Sequence, residues 1–364
     1  MTASNSALPF APAWLRTFRR KLRAWYAANA RVLPWRGTHD PYQVWLSEVM
    51  LQQTQVETVK AYFQRFVAKF PTIGALAEAD ERQILRLWEG LGYYRRARQL
   101  HKAAQWIVAE HDGRFPSDPH AVERLPGIGR YTAGAILSIA FDQRRPILEA
   151  NTVRLFSRLT AYTGDTTSAA GQRLLWSAAE AVLPKQNAGG FNQALMELGS
   201  LICKPQAPRC AECPAAGLCH TRRLGLQAEI PRPKVPRQFQ EVREAAVLVR
   251  RGPRVLLIQW PVGRRWAGLW DFPRCVIHGK SAAEIHRELI DNVRQLTGVS
   301  IVPGEHRKTL RHGVTRFRIT LECHEAAYLS SSRGKNLLVR KWVRAAELAD
   351  YPLSSTGRKL AGLV

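Results

Sequence analysis

The sequence predicts two domains of different class, a mostly α N-terminal domain followed by an α+β C-terminal domain. Three observations predict this. At 364 residues the chain is long enough to bury two cores. From Trp14 to about Leu201 apolar residues recur at helical spacing, with Pro71, Gly90, Gly92, Gly113, Pro116, Pro119 and Pro126 as punctuation. After a stretch carrying Pro231, Pro233 and Pro236 among Arg232, Lys234 and Arg237, the text turns to short apolar runs of strand character. The expected layout is a helical domain over 12–222, a linker over 223–240 and an α+β domain over 241–364.

The first helix is expected where Trp14, Leu15, Phe18, Leu22 and Trp25 repeat, with Arg16, Arg19, Arg20, Lys21 and Arg23 on its other sides. Further helices are expected over 43–54, 57–69, 82–89, 97–110, 130–140 and 172–183. In the second half, residues 245–260 place two apolar runs around Gly252-Pro253, which reads as a β-hairpin. A helix over 281–297 and strands over 314–323 and 337–343 complete that half.

Lysine and arginine number 54 against 29 acidic residues, a formal net charge of +25. Such an excess predicts a polyanionic partner, and nucleic acid is the commonest one. No apolar run approaches the ~20 residues needed to span a bilayer, so no membrane is expected. Four of the six cysteines crowd into Cys203-x6-Cys210-x2-Cys213-x5-Cys219. Four thiolates this close can wrap one metal centre, either zinc or an iron–sulfur cluster. Zinc sites pair their cysteines as two short hooks, and only one such hook exists here, which suits a cluster better. No apolar signal segment is recognisable, so a reducing compartment is expected and disulfides are not.

The segment Leu125-Pro126-Gly127-Ile128-Gly129-Arg130-Tyr131 sets two glycines at a turn that opens a helix, where backbone N–H groups can receive a phosphate. With the cysteine spacing, this segment resembles the helix-hairpin-helix DNA glycosylases of the endonuclease III superfamily. In that family the hairpin is followed by a catalytic aspartate and then by a [4Fe–4S] loop of 6-2-5 spacing. The resemblance implies a [4Fe–4S] cluster on Cys203, Cys210, Cys213 and Cys219, and DNA contacts from Gly127, Gly129, Lys204 and Arg209. Its nearest branch removes adenine mispaired with 8-oxoguanine or guanine.

Within that branch, "VWLSEVMLQQTQVETV" (44–59) resembles the catalytic helix. Glu48 stands there among apolar residues, so burial should raise its pKa and keep it protonated, fit to protonate a ring nitrogen of adenine. Tyr131 stands where bifunctional relatives carry a Schiff-base lysine. Tyrosine forms no imine, so the resemblance implies a monofunctional enzyme with Tyr131 beside the sugar. Glu149 occupies the aspartate position and would stabilise the sugar cation, as a glycosidase carboxylate does. The exchange moves the carboxylate outward by about 1.5 Å. Asn151 is expected to support it. "GLGYYRRARQLHKAA" (90–104) resembles the loop that wedges into the duplex. Leu91 and Tyr93 would intercalate there, Arg95, Arg96 and Arg98 would meet phosphates, and Gln53 would fill the gap left by a flipped base.

The second domain is similar to Nudix domains through "RRWAGLWDFPR" (264–274). Gln295 and Leu296 fall where Nudix hydrolases need glutamates for magnesium, so pyrophosphate hydrolysis is not expected. The family reads 8-oxoguanine with a Phe-Ser-His loop. The corresponding residues here are Val314-Thr315-Arg316, which assigns lesion recognition to Thr315 and Arg316. The expected protein is thus a monomeric, cytoplasmic, nucleoid-associated adenine glycosylase acting on A:8-oxoguanine or A:G mispairs in double-stranded DNA. A thymine–guanine mismatch glycosylase is one alternative, since such relatives share the hairpin, cluster and tyrosine but generally lack a second domain. A lesion-binding protein whose Glu149 has removed catalysis is the other.

Overall fold

The computed structural model describes residues 10–232, 238–314, 316–332, 334 and 337–364. The helices of the first half are α1 (Pro12–Asn29), α2 (Pro41–Leu51), α3 (Val56–Lys69), α4 (Ile73–Ala77), α5 (Glu81–Leu87), α6 (Arg95–His111) and α7 (Pro119–Arg124). They continue with α8 (Arg130–Phe141), α9 (Ala150–Thr160), α10 (Ala169–Val182), α11 (Ala188–Leu201) and α12 (His220–Leu224). Then come β1 (Gln240–Arg251), β2 (Arg254–Gln259), β3 (Trp270–Asp271), β4 (Arg274–Val276), α13 (Ala282–Thr297), β5 (Val299–Val314), β6 (Phe317–Ser331), β7 (Val339–Arg344) and α14 (Ser355–Ala361). Among the described residues no helix is long and apolar enough to cross a membrane.

The chain condenses into two compact units, residues 1–78 with 99–235 and residues 79–98 with 236–364. Composition marks the change of class near residue 240 but not the grouping of 79–98 with the second unit.

In the first unit Phe18 and Leu22 of α1 pack with Leu155, Phe156 and Leu159 of α9, Leu175 and Val182 of α10, and Phe191, Leu195 and Leu198 of α11. Arg19 spends its guanidinium on the end of α10. It donates to the carbonyls of Ala181, Val182 and Leu183 at 2.8–2.9 Å, which no helical N–H can reach. Helix α8 runs close to the chain before α9, because Gly134 leaves room. A Cβ there would stand 2.4 Å from the Pro146 carbonyl oxygen. Helices α4, α7, α9 and α11 were not legible as helices. The first two are single short turns, and α9 and α11 carry Asn151, Thr152, Val153, Gly189, Gly190 and Asn192, residues of modest helix propensity.

In the second unit the sheet runs β3-β2-β1-β6-β5, with β4 on β1 and β7 on β2. Alternation along β1 sends Ala246 and Leu248 to one apolar cluster and Ala245, Val247 and Val249 to another. Helix α13 covers the second face with Ile285, Leu289 and Val293, and Leu360 of α14 joins the first. Cys323 is buried in one cluster and Cys275 packs on the other. Strands β5 and β6 form one long antiparallel hairpin that pairs from Val299↔Ser331 to Val314↔Phe317. The expected strand at 314–323 is therefore the start of β6, with Val314 ending β5.

Candidate active site

Helix α2 is set by Asp40, whose carboxylate accepts the Tyr42 N–H at 2.9 Å, and by Pro41 in the first turn. Tyr42 and Val44–Met50 are all buried, so Glu48 comes with a helix the core holds on nearly every side. It faces a cavity of about 470 Å³, whose wall also includes Gln53, Tyr131, Glu149, Asn151, Arg36 and Glu197. Glu48, Gln53, Tyr131, Glu149 and Asn151, all expected as site residues from sequence, thus meet at one cavity.

Glu48 is 5 % exposed. Burial pushes its carboxyl up to about 7; the Tyr131 hydrogen bond and Arg36 oppose the rise, and the charge of Glu149 adds to it. The Tyr131 hydroxyl donates to Glu48 Oε2 at 2.5 Å and also approaches the Met196 sulfur at 3.5 Å. Burial raises the Tyr131 pKa well above the ordinary phenol value, so the tyrosine stays a donor.

Glu149 is placed differently from Glu48. It is the N-cap of α9, with Oε2 accepting the Asn151 N–H at 2.8 Å and Oε1 accepting the Thr152 N–H at 2.9 Å. Its own N–H donates to Thr152 Oγ1 at 2.8 Å, which closes a capping box. Burial raises its pKa, while the two N–H donors and Arg154 counter the rise. Asn151 supports this carboxylate through its backbone only. Its side-chain Oδ1 accepts from Arg154 Nη2 at 2.9 Å. The longer side chain of glutamate reaches back over its own helix start, and that is what places this carboxylate.

Sequence reasoning missed Glu197. Its carboxylate accepts from Arg31 Nε and Nη2 at 2.8 Å, from the Arg31 backbone N–H at 3.0 Å and from Arg36 Nη2 at 2.5 Å. Burial alone would raise its pKa, but these donors win and hold it at about 2. A fixed anion therefore stands in the same wall as a protonatable acid. The available signal was a lone glutamate inside the apolar helix "ALMELGSL", a position that requires a buried partner.

Apart from the cysteines, the other expected residues fall into four groups. Gly127 has φ +80 and its Cβ would lie 2.7 Å from Gln99 Cβ, so the turn before α8 requires glycine. Arg130, exposed just after Gly129, stacks 3.9 Å from the Trp176 ring centroid. On the cysteine loop Lys204 is exposed, while Arg209 pairs with Glu212 through two bonds, one of them 2.7 Å. That exposed pair is weak enough to yield to a phosphate. Residues 90–98 belong to the second unit. Tyr93 is 55 % exposed at φ +45, whereas Leu91 is 6 % exposed, so of the two only the tyrosine is presented to solvent. Arg95 is exposed. Arg96 donates to the Leu91 and Gly92 carbonyls of its own loop, and Arg98 pairs with the half-exposed Glu81 of α5. Arg316 is exposed at the tip of the β5–β6 hairpin, and Thr315 lies outside the described residues.

Cys203, Cys210, Cys213 and Cys219 are free thiols that line one small cavity of about 30 Å³ with Leu155, Leu159, Ile202 and Ala215. The buried Arg158 lies beside them, with Nη1 3.4 Å from Cys203 Sγ and further donations to the carbonyls of Lys204, Pro205, Gln227 and Ile230. Among the described residues no group of three or more histidine, cysteine or carboxylate side chains is arranged to hold a single metal ion.

The model of the HhH-GPD superfamily of base excision DNA repair proteins matches residues 46–180, and a NUDIX domain model matches 245–362. The rat adenine DNA glycosylase is 32% identical over 94% of this chain and 77% of its own length. That of Buchnera aphidicola subsp. Schizaphis graminum is 37% identical over 70% of this chain and 74% of its own. Among solved structures, a thermostable thymine-DNA glycosylase superposes with TM-score 0.53 at 28% identity, covering 58% of this chain and 98% of that one. A non-covalent endonuclease III–DNA complex gives TM-score 0.51 at 19% identity over 60% and 99%, which shows the fold.

Proposed function

The chain belongs to the adenine DNA glycosylases, DNA N-glycosylases of base excision repair, and on that premise we propose that it removes adenine mispaired with 8-oxoguanine or guanine, with Glu48 as acid and Glu149 as carboxylate. One observation carries the assignment. Two carboxyls share a cavity wall, both with pKa values raised by burial, and they differ in what their oxygens meet. Glu48 is buried among apolar residues, with a pKa raised to about 7. Burial raises the Glu149 pKa as well, but two backbone N–H groups at a helix N-terminus and Arg154 oppose that rise, and Glu48 lacks those backbone donors to the charged form.

The adenine enters the cavity after flipping out of the duplex, which costs least at a mispair. Tyr131 donates to one oxygen of Glu48, so the acid proton sits on the other and is delivered to N7 of the base. Protonation turns the base into a fair leaving group as the glycosidic bond breaks. Glu149 faces the positive charge that develops on the sugar, and water adds at the anomeric carbon. Arg36, fixed by Glu197, places a cation in the same wall. With tyrosine at 131 no imine forms, so the strand is left uncut at the abasic site.

The thiols, the enclosing apolar side chains and the Arg158 cation fit a [4Fe–4S] cluster bound by Cys203, Cys210, Cys213 and Cys219. The cluster would fix the loop that carries Lys204 and Arg209 toward phosphates, which gives salt-dependent, sequence-independent affinity. Cys213→Ser is expected to lower the iron and sulfide content per chain and the melting temperature together. Full iron content in that variant would remove Cys213 from the ligand set.

The test of function is single-turnover base release from duplexes holding A:8-oxoguanine, A:G, A:C and T:G. Adenine release from the first two is expected. Tight binding without release would make the chain a lesion-binding protein, and thymine release from T:G would make it a mismatch glycosylase of the other kind. Glu149→Gln should slow release by roughly a hundredfold or more, on the order of what a misplaced reacting group costs. Affinity for the mispair should change less than threefold, measured as roughly constant Kd on uncleaved DNA.

A further inference from the structure

The hairpin tip of the second unit carries a guanidinium that ends a chain of alternating cations and aromatic rings. The Arg316 guanidinium carbon lies 5.2 Å from the Phe317 ring centroid, and that of Arg265 lies 4.8 Å from the same ring. Arg265 is also 5.1 Å from the Trp266 ring, which Arg274 approaches to 4.4 Å. The inner end is fixed. Arg274 is 4 % exposed, its Nη2 donates to Thr356 Oγ1 at 2.7 Å, and its Nε and Nη1 have no hydrogen-bond partner. Ion pairs with Glu244 at 3.9 Å and Asp271 at 3.8 Å and the face of Trp266 complete its surroundings. Arg265 is tied by a 2.8 Å bond to the buried Glu244.

Trp266 itself has φ +61, a conformation that bulky side chains rarely adopt. Backbone bonds from Gly268 N to Trp260 O, Leu269 N to Trp266 O and Trp260 N to Leu269 O hold the loop in that state. Such strain persists only where the surroundings over-determine it, and here it delivers the indole into the ladder.

We infer that Arg316 selects guanine as the base opposite the adenine, and that Arg265 and Trp266 are its positioning residues. The inference rests on the reading that the second unit inspects that base. An arginine offers five donors and no acceptor. Guanine presents two acceptors side by side, O6 and N7, which a guanidinium engages bidentately. Adenine, cytosine and thymine present no such pair. Oxidation at C8 turns N7 into an N–H donor, which an arginine cannot accept from. A residue with an acceptor gains from the oxidised base, whereas Arg316 does not. The chain is thus biased toward A:G relative to an enzyme with histidine at this position.

The test measures affinity for duplexes with a non-cleavable 2′-fluoro adenosine opposite guanine, 7-deazaguanine, 8-oxoguanine or cytosine. Wild type should bind the 7-deazaguanine duplex about five- to a hundredfold more weakly than the guanine duplex, the range for one bidentate base contact. Arg316→Ala should show the same loss with guanine and no further loss with 7-deazaguanine, because the two changes remove one interaction. Arg316→His should raise the ratio of 8-oxoguanine to guanine affinity. Trp266→Leu should lose guanine preference as Arg316→Ala does, while Trp266→Phe keeps it. An equal loss on all four duplexes in Arg316→Ala would reduce Arg316 to a phosphate contact and overturn the inference. So would a wild type indifferent to 7-deazaguanine. A wild type that binds cytosine as well as the purines would instead overturn the lesion-reading role on which the inference rests. Retained guanine preference in Trp266→Leu would remove the ladder as the positioning device.

Discussion

Glu48→Gln is expected to abolish adenine release and, at the same time, to make the protein more stable above pH 7. The amide has no proton to deliver, so the single-turnover rate should fall by roughly a thousandfold, within the range general acids supply. Mispair affinity should remain, because Glu48 lies in the cavity wall and bears on the base after flipping. The stability effect follows from the raised pKa. An unfolded glutamate titrates near 4.5, and burial lifts folded Glu48 to about 7. Below the first value both states are neutral and the substitution costs little. As pH rises through the second value the wild type must either keep a proton or bury a charge, and it loses stability that the glutamine variant keeps. At roughly 1.4 kcal/mol per pH unit the gap amounts to about 3 kcal/mol. Melts at pH 4.5 and 8.5 check the sign: equal melting temperatures at pH 8.5 would mean that Glu48 is not held protonated. The same titration predicts that wild-type base release declines as pH rises above about 7, and a flat profile to pH 9 would exclude Glu48 as the acid.

Glu197→Ala is expected to be the most destabilising single change in the first unit. It removes the carboxylate that satisfies Arg31 and Arg36 and leaves both guanidinium groups in the cavity wall without their partner. Breaking a buried pair costs about 3–5 kcal/mol. The two arginines are 29% and 15% exposed, so water recovers part of that cost, and the lower end of the range is expected. The pH dependence has the opposite sign to that of Glu48. Folded Glu197 is held at about 2, below its unfolded value of 4.5, so its contribution is present above pH 4.5 and disappears as pH falls toward 2. The difference in stability between wild type and Glu197→Ala should therefore be full at pH 7 and shrink between pH 4.5 and 2. A difference that stays constant over that window would assign the effect to lost packing instead of lost charge.

Local spacing carried much of the reading. Helices α3, α6, α8, α10 and α13 follow from apolar recurrence along one face, and the cysteine quartet and the two-glycine turn are visible as strings. Glu48 stood out for the same reason, since its apolar neighbours lie on its own helix and already specify its desolvation. The paired strands β5 and β6 were less legible. Over 305–309 all residues are exposed, and the ladder there is held by backbone bonds that need no apolar alternation.

The remainder depended on residues far apart in the chain. The partners of Glu197 precede it by 161 and 166 residues, and no spacing rule connects them. The same holds for Tyr131 and Glu48, 83 residues apart. Whether Leu91 or Tyr93 is exposed, and whether Arg96 and Arg98 are available or already partnered, is a question of burial that composition does not answer. Glu149 marks the division most clearly. Sequence identifies a carboxylate one methylene longer than the family's aspartate. Only the fold shows that the extra reach is taken up by capping α9, because a side chain's length sets what it can touch and the backbone around it sets what it does touch.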